Sequence, residues 1–180
     1  MTDSNDTSAD YLVASGKVQR FPREGIELCI VKNFLDQAEC GKLVTLIDQQ
    51  RRPSTIADPN GDNYFRTSET CDLDHSDGFV AGIDRKICGF SGIDKAYGEP
   101  LQGQRYAVGQ EFKAHTDFFD PGGGDFAKYC SISGQRTWTF MIYLNEPVAG
   151  GATRFPQFKK SFTPVSGTML CWNNRNRDGS

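Results

Sequence analysis

The apolar and polar positions of this chain follow two regimes, one at helical spacing ahead of residue 99 and one of short apolar runs broken by glycine and proline after it. Ile26 to Phe34 carries Leu28, Cys29, Ile30 and Val31 in succession, a run whose length suits a strand. Asp36-Gln37-Ala38-Glu39 then forms an Asp-x-x-Glu capping box, and Leu43, Val44, Leu46 and Ile47 recur on one helical face. Together they predict a helix over about 37–50. Pro53, Pro59, Asn60 and Gly61 mark a loop. Beyond it Ser76 or Asp77 can cap a second helix, in which Phe79, Val80, Ile83, Ile87 and Phe90 make the apolar stripe.

From Glu99 onward the predicted strands are 101–108, 111–118, 137–144, 151–155, 161–163 and 168–172. Their lengths and turn spacing predict a mainly β half, sandwich or barrel, with the helices packed on one face. Thr137 to Leu144 reads Thr-Trp-Thr-Phe-Met-Ile-Tyr-Leu, with large groups on both parities, which predicts a central strand buried on both sides. Asp120 to Gly134 contains Pro121-Gly122-Gly123-Gly124 and is too long and glycine-rich for a hairpin turn. It reads as a loop, either a cover over a site or a surface insertion. Residues 1–20 are rich in Ser, Asp and Thr without a sustained period and read as a flexible leader. Residues 21–98 then hold a strand and supporting helices, and 99–180 the β core.

Composition narrows the function classes. At 180 residues, 37% hydrophobic and 24% charged, the chain is long enough to bury roughly 70% of its unfolded surface without disulfide or zinc staples. The net charge of −3 offers no basic surplus for general nucleic-acid binding. Trp138 to Leu144, the longest nearly apolar stretch, is far short of the roughly 18 residues that span a bilayer. Met1 to Asp10 is polar and acidic without the apolar segment of a secretory signal. The six cysteines include no Cys-x-x-Cys pair and read as reduced thiols. The expectation is a soluble cytoplasmic protein with no nucleic-acid or membrane partner.

Two histidines occur, and each opens a His-x-Asp: His75-Ser76-Asp77 and His115-Thr116-Asp117. On a strand, residues i and i+2 share a face, so the pattern offers one imidazole nitrogen and one carboxylate oxygen to a single metal ion. These are two of the three ligands of a 2-His-1-carboxylate iron site. The bare pattern arises by chance roughly 0.2 times in such a composition, so two occurrences show how little it proves alone. Context separates them. His75 lies in a polar turn entering a helix, where Ser76 and Asp77 have capping work to do, and reads as an exposed loop histidine. His115 lies among Phe112, Phe118 and Phe119 in a segment running into the glycine loop. It reads either as a metal ligand or as a partly buried histidine hydrogen-bonded to Asp117.

Several longer stretches carry a resemblance. Leu101 to Asp117 resembles the iron-binding region of the prolyl 4-hydroxylases, and Gly134 to Asn145 resembles the strand that follows it there. Gly150-Gly151-Ala152-Thr153-Arg154-Phe155-Pro156 and Pro164 to Trp172 continue in the same order, and Arg66-Thr67-Ser68 is similar to the family's N-terminal part. These enzymes are iron(II)/2-oxoglutarate dioxygenases. The resemblance implies a double-stranded β-helix, or jelly roll, supported by helices, with Fe(II), 2-oxoglutarate and ascorbate as cofactors. It matches His115 and Asp117 to iron ligands, Tyr106 to the tyrosine that binds 2-oxoglutarate, Thr153 and Thr139 to the cosubstrate pocket, and Arg136 to an arginine associated with peptide substrate. The implied reaction is hydroxylation of a C–H bond, with a prolyl residue of a peptide or protein as substrate and small molecules as an alternative.

The departures from that pattern are specific. The family's third iron ligand is a late histidine, and its 2-oxoglutarate lysine lies farther on; no histidine follows His115, and the sequence stops at Ser180. The expectation is therefore a jelly roll whose last strands are missing, with one sheet edge unpaired. Phe112 stands where peptide-hydroxylating relatives often carry tyrosine. Two alternatives stand beside the dioxygenase. One is a catalytically inactive jelly-roll module that binds a peptide or partner through a groove near Tyr106 and Arg136. The other is a cupin-like module in which His115 and Asp117 hold a different divalent ion.

Overall fold

A computed structural model describes Leu12 and residues 18–21, 26–54 and 64–175. The capping box forms as read: Glu39 N–H donates to Asp36 Oδ1 at 2.7 Å, and Asp36 N–H donates to Glu39 Oε2 at 2.8 Å. It starts helix α1, Gln37–Gln50, which buries Cys40, Leu43 and Ile47. Asp77 caps α2, Gly78–Ser91, by accepting from Phe79 N–H at 2.7 Å, and Val80 and Ile83 lie on its buried face. Gly92 closes that helix in the left-handed region, where glycine carries no Cβ penalty.

Nine strands are present among the described residues. They are β1 Gln19–Arg20, β2 Leu28–Val31, β3 Arg52–Pro53, β4 Glu69–Asp72, β5 Gln102–Arg105, β6 Trp138–Ile142, β7 Thr153–Phe155, β8 Lys160–Phe162 and β9 Met169–Asn173. They form antiparallel sheets in the orders β1-β2-β9-β6, β3-β4-β5 and β7-β8. By number of elements the fold is mainly β.

The register of the largest sheet explains its two faces. Val31, Met169 and Ile142 stand in one cross-strand row, and Cys29, Cys171 and Phe140 in another. The first row packs into the core with Leu43 and Ile47 of α1 and Val80 and Ile83 of α2, while Cys29 and Cys171 of the second cluster with Leu12, and Phe140 packs against both groups. The opposite face carries Thr139 and Met141, with Trp172 and Leu170 across from them. Gly167 positions the turn into β9 at φ 78°: its carbonyl accepts from Phe34 and Leu35 N–H, and an added Cβ would overlap the Leu35 carbonyl oxygen.

Four expectations are corrected. Strand β6 is not central: among the described residues it pairs only with β9, and all five of its residues are half-buried. Its large groups on both parities arise because one face meets the helices while the other carries Thr139 and Met141. The segment 111–118 is no strand; it makes one isolated bridge, Arg66 with Phe112, and then bends. The glycine-rich stretch is not loop throughout, because α3 runs Gly124–Ser133 with Gly123 at its N-cap and Gly134 at its C-cap. Without proline after residue 121, nothing prevents that segment from closing helical turns. Finally, most of the 1–20 leader lies outside the described residues, but Leu12 is 1% exposed against Cys29 and Cys171, and Gln19–Arg20 pairs with β2. Ordered chain therefore begins ahead of residue 21.

Candidate active site

His115 and Asp117 meet without a strand to align them. His115 Nδ1 donates to the Lys113 carbonyl at 2.7 Å, so Nε2 is the ring nitrogen left for other work, and it lies 3.5 Å from Asp117 Oδ1. The other carboxylate oxygen, Oδ2, accepts from Thr139 Oγ1 at 2.6 Å. Thr139 in turn accepts from Asn174 Nδ2 at 2.9 Å. Each donor is thus held from behind, and an imidazole nitrogen and a carboxylate oxygen face each other across a short gap.

The local backbone is pinned on both sides of this pair. Upstream, Lys113 N–H donates to Phe65 O and Thr67 N–H to Glu111 O, both at 2.9 Å. Downstream, the Gln135 side chain clamps Phe119, donating from Nε2 to the carbonyl at 2.7 Å and accepting the N–H on Oε1 at 2.9 Å. An amide thereby does the work of a missing strand neighbour. Phe112 stacks on the His115 ring with centroids 3.6 Å apart and planes at 17°.

The electrostatics favour an ion pair. Burial alone would lower the His115 pKa, but the hydrogen bonds to Asp117 and Lys113 and the Asp117 charge raise it above the ordinary histidine value. Burial likewise works to raise Asp117, and is outweighed by hydrogen bonds from His115 and Thr139 and by the charges of His115 and Arg136. A divalent cation placed between the two would replace the histidine proton.

The other residues read from sequence fall at graded distances from this centre. Thr139 touches Asp117 directly. Thr153 lies against Met141, Oγ1 to Sδ 3.7 Å, and accepts from Tyr143 Oη at 2.7 Å. Met141 is two residues along β6 from Thr139 on the same face, so Thr153 sits about 7 Å farther along the strand. Arg136 forms a fork with Glu99, Nε to Oε1 2.5 Å and Nη2 to Oε2 2.8 Å, and its guanidinium lies 4.6 Å from the Phe119 ring centre. Its charge nonetheless reaches Asp117. Tyr106 is 44% exposed, donates its hydroxyl to Gln104 Oε1 at 2.9 Å and is also hydrogen-bonded to Ser68. It shares with His115 the electrostatic influence of Arg66.

His75 departs from the exposed-loop reading. Its side chain is half-buried beside α2, with Nδ1 3.9 Å from Asp84 Oδ2, and neither ring nitrogen has a hydrogen-bond partner among the described residues. Asp84 Oδ2 pairs with Lys95 Nζ at 2.5 Å. Asp77 is occupied as the α2 cap, so the first His-x-Asp presents no joint donor pair.

The fit to a metal is partial. Imidazole nitrogen and carboxylate oxygen suit a divalent first-row ion, and a 3.5 Å separation is close to that of two donors each about 2.1 Å from a shared metal. Among the described residues no cluster of three His, Cys, Asp or Glu side chains adds a third donor.

Residues 101–178 match the 2OG-Fe(II) oxygenase superfamily model. The chain is 31% identical over 147 residues to prolyl 4-hydroxylase subunit alpha-1 of Bos taurus. By these matches the chain is prolyl 4-hydroxylase-like, with its 2OG-Fe(II) oxygenase match lying in residues 101–178. That alignment covers 79% of this chain and 27% of the bovine subunit. Prolyl 4-hydroxylase 13 of Arabidopsis thaliana is 28% identical over 163 residues, covering 85% of this chain and 57% of its own length. The chain therefore spans between about a quarter and just over half of these relatives. In fold it is similar to the viral collagen prolyl hydroxylase of Paramecium Bursaria Chlorella virus-1, in complex with 2OG, at a TM-score of 0.62 and 24% identity. The match covers 84% of this chain and 80% of that one.

Reading the sequence missed three supports of the site. The Phe112 stack left a signal, since an aromatic three residues before a histidine can reach it across a bend. The Gln135 clamp and the Asn174 link left none, because a lone amide has no pattern.

Proposed function

We propose that this oxygenase domain hydroxylates a C–H bond of a prolyl residue in a peptide or protein, using Fe(II) and 2-oxoglutarate with ascorbate as reductant. The observation that carries the reading is the pair His115 Nε2 and Asp117 Oδ1, 3.5 Å apart, with each side chain's other polar atom already hydrogen-bonded. In this reading His115 and Asp117 hold the iron, which with 2-oxoglutarate and oxygen supplies the oxidising chemistry. Thr139 orients the carboxylate, and Thr153 with Tyr143 lines the neighbouring part of the same face. Arg136 sits at the rim, where exchanging Glu99 for a substrate carboxylate would keep its charge balanced. Tyr106 would serve 2-oxoglutarate after its hydroxyl leaves Gln104. The jelly roll, with β6 and β5 each leaving an edge unpaired among the described residues, is part of the same proposal.

The test uses the 180-residue chain with Fe(II), 2-oxoglutarate, ascorbate and a proline-rich peptide, reading succinate and peptide mass. Iron-dependent succinate with a gain of one oxygen in the peptide is the expected result. A second reading, a peptide- or partner-binding module without turnover, is favoured by the lack of a third donor among the described residues. Peptide binding without succinate at saturating iron would replace the first reading by the second.

A further inference from the structure

Resting on the metal-site reading of His115, we propose that Phe112 is a positioning residue that fixes the plane of the His115 imidazole and so the aim of Nε2 at Asp117. His115 belongs to no helix or strand, and its side chain is 31% exposed. A ring so placed has two soft torsions. The short bond from Nδ1 to the Lys113 carbonyl selects which nitrogen faces Asp117, but with the longer 3.5 Å approach of Nε2 to Asp117 it leaves the ring plane free to tilt. A further restraint is the stack, 3.6 Å between centroids and 17° between planes.

Phe112 is itself held firmly. The Arg66 guanidinium lies 4.7 Å from its ring centre, and Phe65 meets it edge-on at 5.7 Å and 82°. Phe65 also meets His115 edge-on at 6.4 Å and 68°, so two aromatic rings bound the imidazole. The backbone beneath is tied where Phe112 bridges Arg66, flanked by the Lys113 to Phe65 and Thr67 to Glu111 hydrogen bonds. The bend that carries the donor pair is therefore docked through Phe112 onto residues 65–67. Groups that orient a ligand histidine from behind commonly change metal affinity by about 10- to 100-fold when removed. A stack without a charged partner belongs at the lower end.

The experiment is proton NMR of the full chain with Mn(II) as probe. His75 and His115 are the only histidines in the sequence, so His75→Asn assigns the remaining imidazole signals. In the parent protein the His115 ring protons should lie upfield through the Phe112 ring current, and Mn(II) should broaden them selectively. Phe112→Leu should return those signals toward ordinary histidine positions and weaken Mn(II) about 10-fold. Phe112→Tyr, which keeps the ring, should retain both the shift and the affinity. Phe112→Met carries the same expectation as the leucine variant should the latter fail to fold. Parent broadening with affinity unchanged in a folded Phe112→Leu or Phe112→Met overturns the role of Phe112 alone. Equal loss in Phe112→Tyr overturns it too, since the ring would not be what matters. No broadening of His115 in the parent overturns the metal-site reading and the proposal with it.

Discussion

Thr139→Val removes one hydroxyl from the site and leaves a side chain of similar shape. Thr139 Oγ1 donates to Asp117 Oδ2 at 2.6 Å and accepts from Asn174 Nδ2 at 2.9 Å, so the change strips a donor from a carboxylate and an acceptor from an amide. Hydrogen bonds to charged groups contribute about 1.5–3 kcal/mol. Because the Asp117 side chain is 21% exposed, water replaces part of the loss, which places the cost near the lower bound, about 1.5 kcal/mol. In Mn(II) affinity the same figure is about 10-fold, since the oxygen bound to Thr139 fixes the direction of the one that faces His115. Urea unfolding in EDTA and Mn(II) titration at pH 7 read the two effects separately. The pH dependence follows from the sign of the shift. Burial works to raise Asp117, its hydrogen bonds and neighbouring charges hold it lower on balance, and the Thr139 bond contributes to that depression. Stability from a depressed carboxylate is present above its unfolded value, about 3.9, and is lost as pH falls through the folded one. The difference between parent and variant should therefore shrink below about pH 4. An unchanged Mn(II) affinity in a folded variant, or a stability gap that widens on acidification, would refute the reasoning.

Asp117→Ala should abolish Mn(II) broadening at His115, whereas Asp77→Ala should leave it intact and cost about 1 kcal/mol in urea unfolding as a lost helix cap. Gly103→Ala should destabilise by about 1–3 kcal/mol, because the new Cβ falls inside the Ile47 Cγ1 and Cδ1 atoms. Ile47→Ala removes both atoms, so urea unfolding of the double variant should show less loss than the two singles combined. Cys71 and Cys171 are buried, and both thiols are pushed up, Cys71 chiefly by burial and Cys171 by its hydrogen bond with Cys29 and by burial. Mass-resolved alkylation at pH 8 should reach the half-buried Cys88 and Cys130 first and these two only on unfolding. The Cys88 thiol is also raised by burial, so its labelling should keep accelerating above the ordinary thiol pKa of about 8.5.

The two N-terminal helices were legible because local chemistry decides them. Asp36 with Glu39, and Asp77 alone, cap chain that would be helical in many contexts, and each apolar stripe then selects the buried face. The late strands were legible by length and β-rich composition. What was not legible depends on partners distant in sequence. The two-sided bulk of β6 is the same whether a strand lies between two neighbours or stands at an edge with helices on one face and a site on the other. Residues 111–118 look extended because they are aromatic and alternate, yet their only bridge partner among the described residues, Arg66, lies 46 residues from Phe112.

The candidate site shows the same division. His-x-Asp is visible as a pattern, but the usual argument for it, that a strand puts both side chains on one face, does not hold for this chain. The two donors converge because the bend is fixed at both ends, by Phe112 docked on residues 65–67 and by the Gln135 clamp on Phe119. The pattern names the donors, and residues contributed from elsewhere in the fold aim them. This is also why His75 differs: the same three-residue pattern is consumed by a helix cap at Asp77, and its imidazole turns to Asp84 instead. Identical spacing yields a donor pair only where the surrounding structure leaves the carboxylate free of backbone work.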